Sequence, residues 1–199
     1  MKSVIPFVLS PVVDRLAYVL PWACGRHDDQ DAMLNPVRRR IAKAIEAGTC
    51  ERAYSRGARY RENFRILLDG GSHAFVQVGA LIPERQKGGI RVVINPAKFH
   101  DGDAAQINRV MRRIIGREYG QLMQRPLINC IDFAVDIQHV SLSRMLVSYI
   151  NAQRMTVMAK RMAQHCHIEG YNFGSVTSDY FCVAYDKSAE RIHAAILNM

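Results

Sequence analysis

The chain has 199 residues, which at roughly 150 residues per domain predicts a single domain spanning 1–199. With 49% hydrophobic and 23% charged residues, it holds enough apolar material for a core, which excludes intrinsic disorder over most of its length. Lys and Arg number 27 against 18 Asp and Glu, a formal net charge of +9; this is the electrostatic footprint of a nucleic-acid partner, although ribosomal and membrane-surface proteins share it.

No apolar run reaches the roughly 18 residues that a membrane-spanning helix needs, so no membrane partner is expected. Asp14 and Arg15 interrupt the apolar start, which therefore reads as a strand rather than a signal peptide. Five widely spaced cysteines without a CxxC pair (Cys24, Cys50, Cys130, Cys166 and Cys182) fit reduced thiols in a cytoplasmic protein.

In chain order, residues 12–20 alternate as a strand. Asn35 and Pro36 then read as the cap and first residue of a helix that Gly48 ends. Stretches 60–68, 74–82 and 89–94, joined by Asp69-Gly70-Gly71 and Lys87-Gly88-Gly89, carry the hairpin signals of an antiparallel meander. Residues 103–124 turn helical, with Ile107, Val110, Met111, Ile114, Leu122 and Met123 on one side and Arg109, Arg112, Arg113 and Arg117 on the other. Such an arginine face is either solvated or tracks DNA phosphates. Pro126 breaks the pattern, and 127–137 alternates as a strand. Ser141 caps an expected helix to about His165, apolar at Leu142, Met145, Leu146, Tyr149 and Ile150. The tail returns to strands at 169–173 and 179–186 around a turn at Gly174-Ser175, with a short helix at 188–197. The order βαβββαβαββα, with helices inserted in a mainly antiparallel sheet, predicts an α+β fold.

Two segments carry candidate chemistry. In RPLINCIDFAVDI, strand alternation places Cys130, Asp132, Ala134 and Asp136 on one face and Ile131, Phe133, Val135 and Ile137 on the other, the expected core face. The two carboxylates stand roughly 13 Å apart along a strand, so at most one is a direct metal ligand. The bland reading is a half-solvated strand with two surface acids. In YNFGSVTSDYFCVAYDKSAER, Tyr185 shares a strand face with Lys187, and an ammonium beside a phenol favours the phenolate, as suits a tyrosine that attacks phosphorus. An amphipathic packing tyrosine fits the same pattern.

VVDRLAYVLP, VVINPAKF, CIDFAVDI and GSVTSDYFCVAYDKSAE, in that order, resemble the replication initiation factor family of rolling-circle plasmids and filamentous phages. The last segment is the most specific. The resemblance implies a DNA-binding replication initiator that makes a strand-specific nick in origin DNA, leaving a phosphotyrosine link and a free 3′ hydroxyl. By position it implies Tyr185 as nucleophile beside Lys187, and Asp132 and Asp136 as the acids holding Mg²⁺ or Mn²⁺. The implied partner is origin DNA, single-stranded or in a hairpin, with a homodimer as a further option.

The chain departs from the pattern where Cys130 and Val183 stand in place of arginines, removing guanidiniums that would hold a phosphate or pair a carboxylate. It also reaches Met199 soon after the last motif, where family members continue, so a divergent or C-terminally shortened member is expected. Two alternatives stay open: a non-catalytic DNA-binding protein on the same scaffold, and a basic α+β protein that packs against another protein. His165-Cys166-His167 matches the His-hydrophobic-His pattern of another nicking class, but falls where a helix is expected to end and reads as a polar helix terminus. Asp101 to Asp103 reads as a turn and cap, not a calcium loop.

Overall fold

The computed structural model describes residues 5–22, 27–54, 59–83, 85–86, 88–140, 142, 155–162, 165–174 and 181–187. The fold is α+β, and the chain divides into two compact units, Ser10–Val135 and the combination of Met1–Leu9 with Asp136–Met199.

The Ser10–Val135 unit is a six-stranded antiparallel sheet in the order β3-β4-β5-β6-β2-β7. Its strands are β2 (Val12–Leu20), β3 (Cys50–Arg52), β4 (Tyr60–Leu67), β5 (His73–Ala80), β6 (Ile90–Ile94) and β7 (Leu127–Ala134), with helices α1 (His27–Glu46), α2 (Asp103–Ile115) and α3 (Tyr119–Leu122). The expected meander is β4-β5-β6, paired through Phe64 with Val76 and Val76 with Val92. At the Asp69-Gly70-Gly71 turn, Gly71 adopts φ 81° and its amide donates to Leu68 O at 2.9 Å. β3 pairs with β4 through Cys50 and Ile66; three residues are too few to show a period in sequence.

Alternation sorts the sheet into two faces. Phe64, Ile66, Val76, Val78, Ile90, Val92 and Leu20 form the core with Leu34, Val37 and Ile41 of α1 and Ile107, Val110, Met111 and Ile114 of α2. The opposite face carries Asn63, Arg65, Phe75, Gln77, Arg91, Val93, Ala17, Arg15, Cys130 and Asp132, brought into line by the strand registers.

Three expectations need correction here. α1 does not begin at Pro36, which lies inside it, and Asn35 is not a cap but accepts a hydrogen bond from Arg38 Nη1 at 3.3 Å. An internal proline costs about 3 kcal/mol, yet Leu34 and Val37 on either side of it are buried, and two such burials return about as much or more. The helix stops where expected: Gly48, at φ 68°, donates to Ile45 O and Thr49 to Ala44 O, both at 2.9 Å, the double closure of a left-handed helix end.

The helix expected over 103–124 is two helices. Gly116 takes φ 103° and ψ −157°, outside helical space, and ends α2; Arg40 Nη1 from α1 donates to the carbonyls of Ile114 and Ile115, both at 3.1 Å, closing that end. Arg117 therefore lies off the helix that carries Arg109, Arg112 and Arg113. At the other end, Asp103 Oδ2 accepts the His100 amide at 2.9 Å, which closes the expected turn; the cap position itself is Gly102, which makes no side-chain cap hydrogen bond, so the expected capping role is not seen.

The third correction concerns β7. Ile131 and Phe133 share a face as expected but are not core, being 40% and 70% exposed, and Val135 and Ile137 are exposed as well. β7 is an edge strand, and no residue of it belongs to the cluster that α1 and α2 cover.

In the other unit β1 (Phe7–Val8) pairs with β8 (Ile137–Gln138). β9 (Met155–Met162), β10 (His165–Gly174) and β11 (Phe181–Tyr185) form an antiparallel sheet in the order β11-β10-β9. The helix expected up to His165 is thus overturned over 155–162. The apolar spacing behind it lies wholly before residue 155, and pairing with β10, His165 opposite Met162 and Phe173 opposite Met155, decides the conformation. Apart from Leu142, which is buried, the rest of that expected helix, Ser175 of the expected turn, and the helix at 188–197 lie outside the described residues.

Candidate active site and nucleic-acid interface

β2 is the pivot of the first cluster. It lies between β6 and β7, so three of the four motif segments, VVDRLAYVLP, VVINPAKF and CIDFAVDI, are neighbours in one sheet. A register irregularity between Val13 and Arg15 sets Asp14 out of the ladder, as bulges re-aim side chains. Asn95 Nδ2, just beyond β6, donates to Asp14 Oδ1 at 3.0 Å.

Arg15 stands opposite Asp132 across the β2–β7 ladder, its Nη1 3.6 Å from Asp132 Oδ2. Cys130 Sγ donates to Asp132 Oδ1 at 3.0 Å. That hydrogen bond, then burial and the carboxylate's charge, push the Cys130 thiol above its ordinary range. Asp132 is thus paired with a guanidinium from the neighbouring strand, a pairing that sequence reasoning missed; the Asp14-Arg15 pair inside an otherwise apolar strand was its only local signal.

A second feature missed in sequence is a chain of side chains along the same face. Arg91 Nη1 donates to Gln77 Oε1 at 2.8 Å, and Gln77 Nε2 to Asn63 Oδ1 at 2.7 Å. Gln77 is buried and Arg91 half-buried. Burial and the Arg15 guanidinium both draw the Arg91 pKa down.

Tyr185 and Lys187 belong to the other unit. Tyr185 ends β11 opposite Gly170 of β10, the residue being 44% exposed. Lys187 Nζ donates to Tyr185 Oη at 3.2 Å and stands 5.4 Å from the ring centroid. The expected pair thus meets, although Lys187 lies beyond the end of β11 and not on a shared strand face. Val183, at the arginine position of the motif, is exposed on the same strand.

Asp136 is exposed beyond the end of β7. Among the described residues no three His, Cys, Asp or Glu side chains converge, and Asp132 already holds Arg15 and Cys130. Contrary to the helix-terminus expectation, His165 and His167 lie within strand β10. Arg109, Arg112, Arg113 and Arg117 are all exposed.

Cys50, Cys130 and Cys182 are free thiols. No helix among the described residues is long and apolar enough to cross a membrane. No family model matches the chain, and no curated protein matches it either, so the family resemblance stands on the motif residues alone.

Proposed function

We propose that the protein is a DNA-binding replication initiator that nicks one strand of origin DNA through Tyr185. The observation that carries the reading is the ammonium of Lys187 at 3.2 Å from a solvent-exposed Tyr185 hydroxyl. In the proposed step Tyr185 Oη gives up its proton and attacks the scissile phosphorus. The phosphorus–O3′ bond breaks, the 3′ oxygen takes up a proton, and the 5′ phosphate remains esterified to the tyrosine. Lys187 holds negative charge on the phenolic oxygen as it attacks. Arg109, Arg112 and Arg113 on α2, with Arg117 beyond it, are proposed phosphate contacts, supported by their exposure and the net charge of +9. Asp132 and Asp136 are the acids proposed to attract Mg²⁺ or Mn²⁺, and a homodimer in the cytoplasm is part of the same reading.

The test is incubation of the full chain with single-stranded or hairpin origin DNA in Mg²⁺ or Mn²⁺. A covalent protein–DNA adduct, lost in Tyr185→Phe, is the expected result. An adduct that survives the substitution moves the nucleophile elsewhere, with Tyr171, Tyr180 and Tyr149 the next candidates.

A second reading, a non-catalytic DNA-binding protein used for origin binding, repression or recruitment, is favoured by one observation. Asp132 is already engaged by Arg15 and Cys130. Metal-independent binding with no cleavage of any supercoiled origin plasmid is its signature.

A further inference from the structure

The sheet face turned away from α1 and α2 has a charge imbalance that its own residues leave open. Its acids are spoken for: Asp132 pairs with Arg15 at 3.6 Å, and Glu51 of β3 with Arg65 at 2.8 Å. Arg91 differs. It is half-buried in mid-sheet, it donates to the neutral amide of Gln77, and among the described residues no carboxylate reaches ion-pair distance of it. Half-buried charges in folded proteins are ordinarily paired, because losing hydration without a counter-charge is costly. Here the cost is increased, since Arg15 is near enough to disfavour the Arg91 charge. A half-buried guanidinium held by a fixed amide chain, with no acid to balance it and with Arg15 further along the neighbouring strand on the same face, makes a site that an anion completes.

We propose that this sheet face holds the phosphodiester backbone of single-stranded DNA, with Arg91 and Arg15 as phosphate contacts and the Asn63–Gln77 chain fixing Arg91. The proposal rests on the DNA-binding reading and gives it a surface distinct from the arginines of α2. Single strands suit the face better than duplex. Phe75 and Val93 are cross-strand partners in the row next to Gln77 and Arg91, and both are partly exposed. A partly exposed aromatic among basic groups on a sheet face takes unpaired bases without regard to sequence. Gln77 and Asn63 keep the guanidinium from folding back onto the strand, so less rotamer freedom is lost when a phosphate binds.

The test measures binding of the full chain to a fluorescent 20-mer of thymidylate by anisotropy, in EDTA so that no strand is cut, over a salt series. Arg91→Gln and Arg15→Gln should each weaken binding about tenfold at low salt and flatten the plot of log affinity against log salt by roughly 0.7, the value of one phosphate contact on a single strand. Arg91→Lys should retain the slope while losing affinity, because it keeps the charge and loses the forked geometry. If Arg91→Gln fails to fold, Arg15→Gln decides, as Arg15 is a half-exposed position that tolerates change. Wild-type binding with unchanged affinity and slope in the folded glutamine variants overturns the sheet-face proposal and leaves DNA binding in place. Failure of the wild-type chain itself to bind at low salt overturns both.

Discussion

Asn95 Nδ2 donates to Asp14 Oδ1 at 3.0 Å across 81 residues of sequence. The bond fastens the bulge of β2 to the chain leaving β6, next to the Arg15–Asp132 pair. It is solvent-exposed, so removing it in Asn95→Ala should lower stability by about 1 kcal/mol. Urea unfolding reads this as an earlier midpoint with an unchanged slope; an unmoved midpoint would show that the bond contributes nothing measurable.

Gly79 in β5 tests the packing of α1 on the sheet. Its φ is +78°, and a Cβ there would stand 2.7 Å from Leu34 Cδ1. Gly79→Ala should cost more than about 1 kcal/mol through both backbone strain and the clash. In a Leu34→Ala background the clash disappears and the strain remains, so the penalty should shrink without vanishing. Equal penalties in the two backgrounds would sink the claim that Leu34 sets the approach.

Arg40 joins α1 to the C-terminal end of α2 through two carbonyls. Arg40→Met keeps the aliphatic stem and removes both bonds together with a cation placed favourably at the helix dipole, and should cost about 1–3 kcal/mol. Chemical denaturation checks the value, and circular dichroism should show the helices intact.

Burial pushes the Cys50 thiol up to about 11, whereas Cys182 is exposed. A disulfide reagent at pH 8 should modify Cys182 rapidly and leave Cys50 untouched until the protein unfolds, because the thiolate is the reacting form. The raised folded pKa means that the folded chain keeps a proton the unfolded chain releases. The associated stability is complete below about pH 9 and is lost as pH rises towards 11. Cys50→Ala should remove that part of the alkaline decline, and an identical decline in the variant would refute the assignment.

If the exposed face of α2 contacts phosphates, Arg112→Ala with Arg113→Ala should flatten the salt plot by up to about two units and weaken binding to all DNA sequences alike. Sequence preference should hardly change, since phosphate contacts position a protein without reading bases. A folded double variant with wild-type affinity and slope would return this helix face to solvent.

The sequence by itself determined what depends on neighbours along the chain. Strand β2, the glycine turn of the meander, the end of α1 at Gly48 and the buried stripe Ile107, Val110, Met111 and Ile114 all follow from local periodicity and backbone preference. The meeting of Tyr185 with Lys187 is not of that kind: β11 ends at Tyr185 and Lys187 lies beyond it, so the strand alternation read from sequence does not produce the contact. Tertiary structure decided everything that depends on which element lies beside which. Pro36 stays inside α1 because Leu34 and Val37 are buried on the sheet. The alternation of β7 marks two faces but cannot say that α1 and α2 leave that edge uncovered. Residues 155–162 are a strand because β10 pairs with them. Arg15 finds Asp132, and Arg91 finds Gln77, only across strands whose register no local signal fixes. Backbone preference acts over a few residues, while pairing and burial act between segments far apart in sequence.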